Sequence, residues 1–226
     1  MVRVKICGIT NWPDARLAVD LGAEMLGFNF HPQSPRVLSP AAAWSIIRRL
    51  PPCVVPVGVF VNWTPEAVDA LARAIRLKAV QLQGDESVAD ARALSRTHKV
   101  IKAFRVSPKF RLAVLARYRF DWANLLDGHL PGLYGGTGRT VDWDVARRAK
   151  RYGRVVLAGG LRAENVKEAI LAARPFAVDV CGGTESRPGK KDPARMRAFF
   201  DAVREADPAS LPHRAKNLSI KRGESV

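Results

Sequence analysis

Eight short, β-branched apolar runs alternate with eight segments of helical period through residue 205, and no two elements of one kind follow each other. A strict alternation of this sort belongs to α/β architectures built on a parallel sheet. The strand-like runs fall at 2–9, 25–30, 54–61, 79–83, 100–106, 122–127, 155–159 and 176–180. The helical segments fall at 11–21, 40–50, 65–75, 87–97, 108–118, 142–152, 163–173 and 193–205. Several of these open on a capping residue set close before proline: Asn11 with Pro13, Ser39-Pro40, Thr64-Pro65-Glu66, Ser107-Pro108 and Asp192-Pro193. The strands are apolar on nearly every residue, as parallel strands covered on both faces must be. Eight βα units in so short a chain predict a closed (β/α)8 TIM barrel rather than its rival, a doubly wound open sheet. No Pro/Ser/Gly-rich linker interrupts the pattern, so residues 1–206 are expected to form one catalytic domain. Residues 207–226 are polar and aperiodic and are expected to form a flexible tail.

Composition narrows the function. With 47% hydrophobic residues the chain is not predominantly disordered, and no apolar run approaches the ~18 residues that cross a bilayer. The first residues enter a strand pattern at once, without a signal-peptide core, so the chain is read as cytoplasmic. Cys7, Cys53 and Cys181 are widely spaced and the histidines scattered, which gives neither a disulfide framework nor a metal motif. Cys53 and Cys181 are read as small buried hydrophobes. The net charge of +16 admits nucleic acid, a membrane surface or an anionic small substrate. The basic run Arg147-Arg148-Ala149-Lys150-Arg151 lies on a candidate outer helix without interleaved aromatics, which reads as a solvated face rather than a nucleic-acid surface.

A βα barrel carries its chemistry at the C-terminal ends of its strands. There the sequence sets Cys7 after strand one, Arg36 in the loop after strand two and Asp127 at the end of strand six. Gly159-Gly160 follow strand seven and Gly182-Gly183 follow strand eight. Cys7 and Asp127 are candidate proton-transfer groups, with a buried structural thiol as the alternative for Cys7. Arg36 is a candidate for bidentate recognition of a carboxylate. The two glycine pairs fall where barrels of this kind hold phosphate, since glycine lets backbone N–H groups approach an anion closely.

Lys5-Ile6-Cys7-Gly8-Ile9-Thr10, Ser34-Pro35-Arg36 and Gln81-Leu82-Gln83-Gly84-Asp85-Glu86 stand in the same order as motifs of a known family. So do Tyr134-Gly135-Gly136-Thr137-Gly138, Leu157-Ala158-Gly159-Gly160-Leu161 and Thr184-Glu185-Ser186-Arg187-Pro188-Gly189-Lys190-Lys191-Asp192. The chain resembles the phosphoribosylanthranilate isomerases over roughly residues 1–205. The resemblance implies a cofactor-free, metal-free Amadori rearrangement in tryptophan biosynthesis, with N-(5-phosphoribosyl)anthranilate as the small-molecule partner. It implies neither a nucleic-acid nor a membrane partner, and a monomer or homodimer. By the same resemblance Asp127 is the general acid, Cys7 the general base, Arg36 the holder of the anthranilate carboxylate, and the four glycines the phosphate site. Related sugar isomerases of the histidine pathway would carry aspartate where Cys7 stands, which favours the anthranilate substrate.

Two departures bear on the site. Gln83 replaces the histidine of the family's Q-L-H-G, and the position is read as packing behind the site. Cys181-Gly182-Gly183-Thr184-Glu185 replaces S-S-G-V-E, which removes serine hydroxyls and leaves phosphate to the backbone.

Overall fold

The computed structural model describes residues 2–120, 122–128 and 141–206. Eight parallel strands close into a barrel in chain order. They are β1 (Arg3–Ile6), β2 (Met25–Asn29), β3 (Val55–Phe60), β4 (Ala79–Leu82), β5 (Lys99–Val106), β6 (Ala123–Gly128), β7 (Val155–Leu157) and β8 (Ala177–Val180). All eight lie within or almost within the runs read from sequence. Closure comes from β8 pairing with β1, where Lys5 stands opposite Asp179 and Ile6 opposite Val180. The tail expected over 207–226 lies outside the described residues.

Strand side chains alternate between two cores, as a period of two requires. One set, including Met25, Val57, Ala79, Ile101, Ala123 and Val156, fills the barrel interior. The other set, including Leu26, Phe28, Val80 and Leu126, faces the helices. At the N-terminal end the interior is stopped by Trp122 and Phe176, edge to face at 5.7 Å, with Arg3 and Arg154 over the Phe176 ring and Lys99 over Trp122.

The helices are α1 (Trp12–Leu21), α2 (Pro40–Ile47), α3 (Pro65–Ala74), α4 (Val88–Ser95), α5 (Trp143–Ala149), α6 (Ala163–Ala173) and α7 (Pro193–Ala206). The caps act as their residue types dictate. Asn11, Ser39 and Thr64 each accept a backbone N–H three residues on, and Asp192 accepts two. Ser87 and Asp90 form a reciprocal capping box.

One expected helix is absent. Ser107-Pro108 opens only a turn, Phe110 N–H to Ser107 carbonyl, and the segment then winds as a 3-10 helix over Leu112–Tyr118. Its apolar residues explain the tighter winding. Leu112, Leu115 and Tyr118 recur every third residue, which stacks them on one side of a three-residue turn. That side packs inward, with Tyr118 edge to face on Phe104 at 5.2 Å. After β8 the chain adds a short 3-10 turn (Gly182–Thr184) and a small hairpin of β9 (Glu185–Arg187) and β10 (Lys190–Lys191). The hairpin reverses through Pro188-Gly189, where Gly189 has φ 79°, a value L side chains rarely adopt.

Behind the β4 end, Lys102 on β5 is buried and ion-paired to buried Glu86 at 2.9 Å. Its ammonium also donates to the Gly84 carbonyl, while Glu86 Oε1 accepts from the Asn62 and Gly84 N–H groups. This cluster ties the loops after β3 and β4 to β5. Replacing Lys102→Met strands a buried carboxylate and is expected to cost about 3–5 kcal/mol. The double variant with Glu86→Gln is expected to recover part of that loss, as urea midpoints of the three proteins would show.

Candidate active site

All seven residues singled out from sequence line one cavity of ≈ 380 Å³ at the C-terminal end of the barrel. Cys7 stands one residue beyond β1, held by its N–H donating to the Val180 carbonyl on β8. Directly below it on the same face, Lys5 is fully buried and its ammonium meets Asp179 at 2.9 Å. Gly27 on β2 makes room for this stack: a Cβ there would lie 2.8 Å from the Cys7 sulfur and 3.1 Å from the Lys5 nitrogen.

The ionisations follow from this packing. Burial alone would lower the Lys5 pKa, but the Asp179 carboxylate and Cys7 raise it above the lysine range, so Lys5 is a fixed cation. Burial raises Asp179 to about 7 against the pull of Lys5. Cys7 is held well below the usual thiol range, first by a hydrogen bond from Cys181 and then, against burial, by the positive charges of Lys5 and Lys191. The partner effect on Cys181 is the reverse: beside Cys7 and buried, its pKa goes up.

Asp127 at the end of β6 is 5% exposed. Burial raises its carboxyl to about 6, helped by negative charge on Cys7 and opposed by the Gly128 N–H, Lys5 and Gln83. Gln81 Nε2 donates to Gln83 Oε1 at 2.6 Å, which turns the Gln83 Nε2 toward Asp127 Oδ2 at 3.4 Å. Gln83 therefore lines the cavity and touches Asp127 rather than packing behind the site, a correction to the sequence reading. Asp127 Oδ1 and Gln81 Oε1 have no partner among the described residues.

Arg36 is placed by its loop. Ser34 closes a turn on His31, its hydroxyl accepts the Arg36 N–H, and Val37 bridges back to Asn29. The side chain then crosses Gly8, whose φ of 74° and missing Cβ leave room for the Arg36 methylenes. Its guanidinium grips Glu185 of β9 through Nε at 2.9 Å and Nη2 at 2.6 Å. Sequence reasoning gave Arg36 a substrate carboxylate as partner and missed this one. Glu185 fixes the fork and leaves Nη1 without a partner among the described residues. Burial opposes ionisation of Glu185, but Arg36 and Lys191 more than offset it and lower its pKa.

The four glycines meet across the seam between β7 and β8. Gly159 and Gly160 have φ of 83° and 60°, and the Gly160 carbonyl accepts from Asn165 of α6. Gly183 is pressed against the Leu161 carbonyl, which a Cβ would approach to 2.0 Å. At Gly182 a Cβ would meet only Arg36 Nη2, at 4.0 Å. None of the four N–H groups donates a hydrogen bond to another described residue, so all four remain available to an anion.

Sequence reasoning missed Lys5, Asp179, Gln81, Glu185 and Cys181 as parts of this site. Lys5 and Asp179 carried a signal, since a charge inside an apolar strand has to find a partner. Cys53 and Cys181 were read as buried; Cys53 is exposed and Cys181 half-buried in the cavity wall.

The family model for N-(5'phosphoribosyl)anthranilate (PRA) isomerase matches residues 4–202. The chain belongs to the phosphoribosylanthranilate isomerase family. The N-(5'-phosphoribosyl)anthranilate isomerase of Geobacter sulfurreducens is 51% identical over 200 residues, covering 88% of this chain and 97% of that protein. The Trichlorobacter lovleyi enzyme of the same name is 48% identical over 207 residues, covering 91% and 100%. Among solved structures, phosphoribosyl anthranilate isomerase from Thermotoga maritima superposes with a TM-score of 0.84 at 44% identity, covering 92% of this chain and 100% of that one. A phosphoribosyl anthranilate isomerase in complex with reduced 1-(o-carboxyphenylamino)-1-deoxyribulose 5-phosphate matches with a TM-score of 0.82 at 41% identity, covering 91% and 100%. Isomerase family membership thus agrees with the barrel and with the cavity at its C-terminal end.

The raised Asp127 pKa has a thermodynamic sign. Between the usual carboxyl value of 3.8 and about 6, the folded protein binds the proton that the unfolded chain releases. Asp127 therefore costs stability as pH rises through that window, and the cost persists above it. Asp127→Asn removes the cost. The variant is expected to be more stable than the parent by about 2–3 kcal/mol at pH 7, and by much less at pH 4. Denaturant unfolding at the two pH values checks this; equal differences at both would contradict it.

Proposed function

We propose that the chain catalyses the Amadori rearrangement of N-(5-phosphoribosyl)anthranilate to 1-(2-carboxyphenylamino)-1-deoxyribulose 5-phosphate, the isomerase step of tryptophan biosynthesis. The observation that carries the mechanism is a carboxyl and a thiol in one cavity whose pKa values are pushed in opposite directions, Asp127 up to about 6 and Cys7 well below its usual range. An acid whose proton affinity is raised toward neutrality and a base whose affinity is lowered are what two successive proton transfers need.

Asp127 lines the cavity and its Oδ1 has no partner among the described residues, so the transferable proton is assigned to Oδ1 while Gln83 faces Oδ2. Delivered to the furanose ring oxygen, that proton opens the ring as the anthranilate nitrogen forms an iminium. The Cys7 thiolate then removes the C2′ proton, giving an enolamine that collapses to the ketose. Lys5 stays charged throughout and steadies the thiolate before the proton arrives. Arg36, fixed by Glu185, offers its remaining N–H groups to the anthranilate carboxylate. The N–H groups of Gly159, Gly160, Gly182 and Gly183 take the phosphate. The same reading makes the chain a cytoplasmic enzyme, a monomer or homodimer, with neither nucleic acid nor a membrane as partner. Among the described residues no helix is long and apolar enough to cross a membrane.

Loss of phosphoribosylanthranilate fluorescence on adding the purified protein tests the activity directly. Cys7→Ser and Asp127→Asn are each expected to lower kcat by about 10²–10⁴-fold with the circular dichroism spectrum unchanged. Near-parental turnover by either variant would remove that residue from proton transfer.

The phosphate assignment has a separate check. Gly182→Val places a branched side chain in open space beside the cradle, whereas Gly183→Val would collide with the Leu161 backbone. Gly182→Val is expected to raise the inhibition constant of inorganic phosphate at least about tenfold while the protein stays folded. Unchanged inhibition would place the anion elsewhere.

A further inference from the structure

We propose that Cys7 and Cys181 form a reversible oxidation site, closed to a disulfide by a hydroperoxide and opened by a thiol, which switches the enzyme off. The bridge itself rests on the geometry of the β1–β8 seam. The loss of turnover rests on the reading of Cys7 as the base.

The two strands end in register, Ile6 opposite Val180, and each cysteine is the next residue. Two residues back on the same face, Lys5 and Asp179 are also register partners, and their side chains meet at 2.9 Å. Side chains at these positions therefore project into the barrel and meet across the seam. Neighbouring strands lie about 4.8 Å apart, inside the roughly 4.4–6.8 Å between Cα atoms that a disulfide spans. The last hydrogen bond between the two strands is Cys7 N–H to the Val180 carbonyl, and beyond it Cys181 leaves the strand conformation with φ −122° and ψ −84°. Cys7 is thus anchored to β8 while the Cys181 backbone is free of the rung geometry.

The surroundings assign the order of attack. Cys7 sits above the fixed cation Lys5 and is the nucleophile. Cys181 faces the Glu185 carboxylate at 3.7 Å and the Cys7 sulfur, so it retains its proton and serves as the resolving thiol. Both cysteines are half-buried residues in the wall of an open cavity that a small peroxide can enter. Cys53, the third cysteine, is exposed and takes no part.

In the first step the Cys7 thiolate attacks the terminal peroxide oxygen. The O–O bond breaks, a sulfenic acid forms on Cys7, and the alcohol leaves with a proton from solvent. In the second the Cys181 sulfur attacks the sulfenic sulfur as its own proton departs with the hydroxyl as water. The S–O bond breaks and the S–S bond forms. Two thiols thus lose two electrons and two protons, and the hydroperoxide is reduced to alcohol and water. A bridged Cys7 has no lone thiolate to take the C2′ proton.

The experiment treats the full chain, carrying Cys53→Ser, with hydrogen peroxide and follows intact mass, non-reducing peptide maps and turnover together. The expected result is a loss of two hydrogens, a cross-linked peptide pair containing Cys7 and Cys181, and turnover lost in proportion to the bridged fraction. Dithiothreitol is expected to restore all three. With Cys181→Ser added, oxidation is expected to proceed to sulfinic and sulfonic acids on Cys7, which dithiothreitol does not reverse. Oxygen addition with the two peptides separate, in the protein that keeps both cysteines, would overturn the site. A bridge that leaves turnover intact would overturn the switch, and would place the failure in the role given to Cys7 rather than in the bridge. The map needs no Cys181 variant, so a misfolded variant leaves the outcome readable.

Discussion

An ammonium group with no exposed surface must be neutralised inside the chain or lose its proton, and Lys5 is in that position. Its counter-charge, Asp179, lies on the strand that closes the barrel, so the pair joins the first strand to the last as well as neutralising both. Removing either partner would leave a charge in a low-dielectric interior, at a cost of several kcal/mol. Much of the site depends on that pair. Gly27 lacks a side chain because the Lys5–Cys7 stack occupies its space. Cys7 ionises against burial partly because Lys5 stands beneath it. The negative charge on Cys7 in turn adds to the burial that raises the Asp127 pKa.

The cations around the cavity divide the work by how completely they are engaged. Lys5 and Lys191 are buried, paired and directed at the strand ends. Arg36 is partly engaged, with one edge on Glu185 and the other open, which suits a group that recognises rather than reacts. The proposed anion site relies on no side chain, since the donors assigned to it are backbone N–H groups on two loops that touch at Gly183 and Leu161. In the proposed mechanism, buried side chains set the chemistry and backbone shape sets the grip on phosphate. The exposed basic run of α5 takes part in neither; Arg147 and Arg148 pair with Asp144 on their own helix.

What could be read from sequence follows from what is periodic. Strand positions were legible because parallel strands buried on both faces leave unbroken apolar runs. The ends of those runs located Cys7, Asp127 and both glycine pairs. The fifth helix was misread because Leu112, Leu115 and Tyr118 fit either a three-residue or a 3.6-residue period over so short a span. The hairpin was signalled by Pro188-Gly189 but too short to show alternation. Gln83 and Cys181 were misjudged for another reason. Their roles depend on which side chain stands across the barrel, and a linear pattern carries no such information. Glu185 was likewise visible as a charge, but its grip on Arg36 spans 149 residues.

The closing pair also orders events during synthesis. Lys5 and Asp179 are separated by 174 residues. At the usual rate of roughly 5–20 residues per second, β1 waits about nine to thirty-five seconds on the ribosome before its partner strand is made. Over that interval the nascent chain can pair β1 with β2 but cannot bury Lys5, so the half-built barrel keeps an open edge and a solvated cation at one end. The ammonium that later holds the seam shut is, until then, a charge on an unpaired edge, and such charges discourage sheets from joining their neighbours.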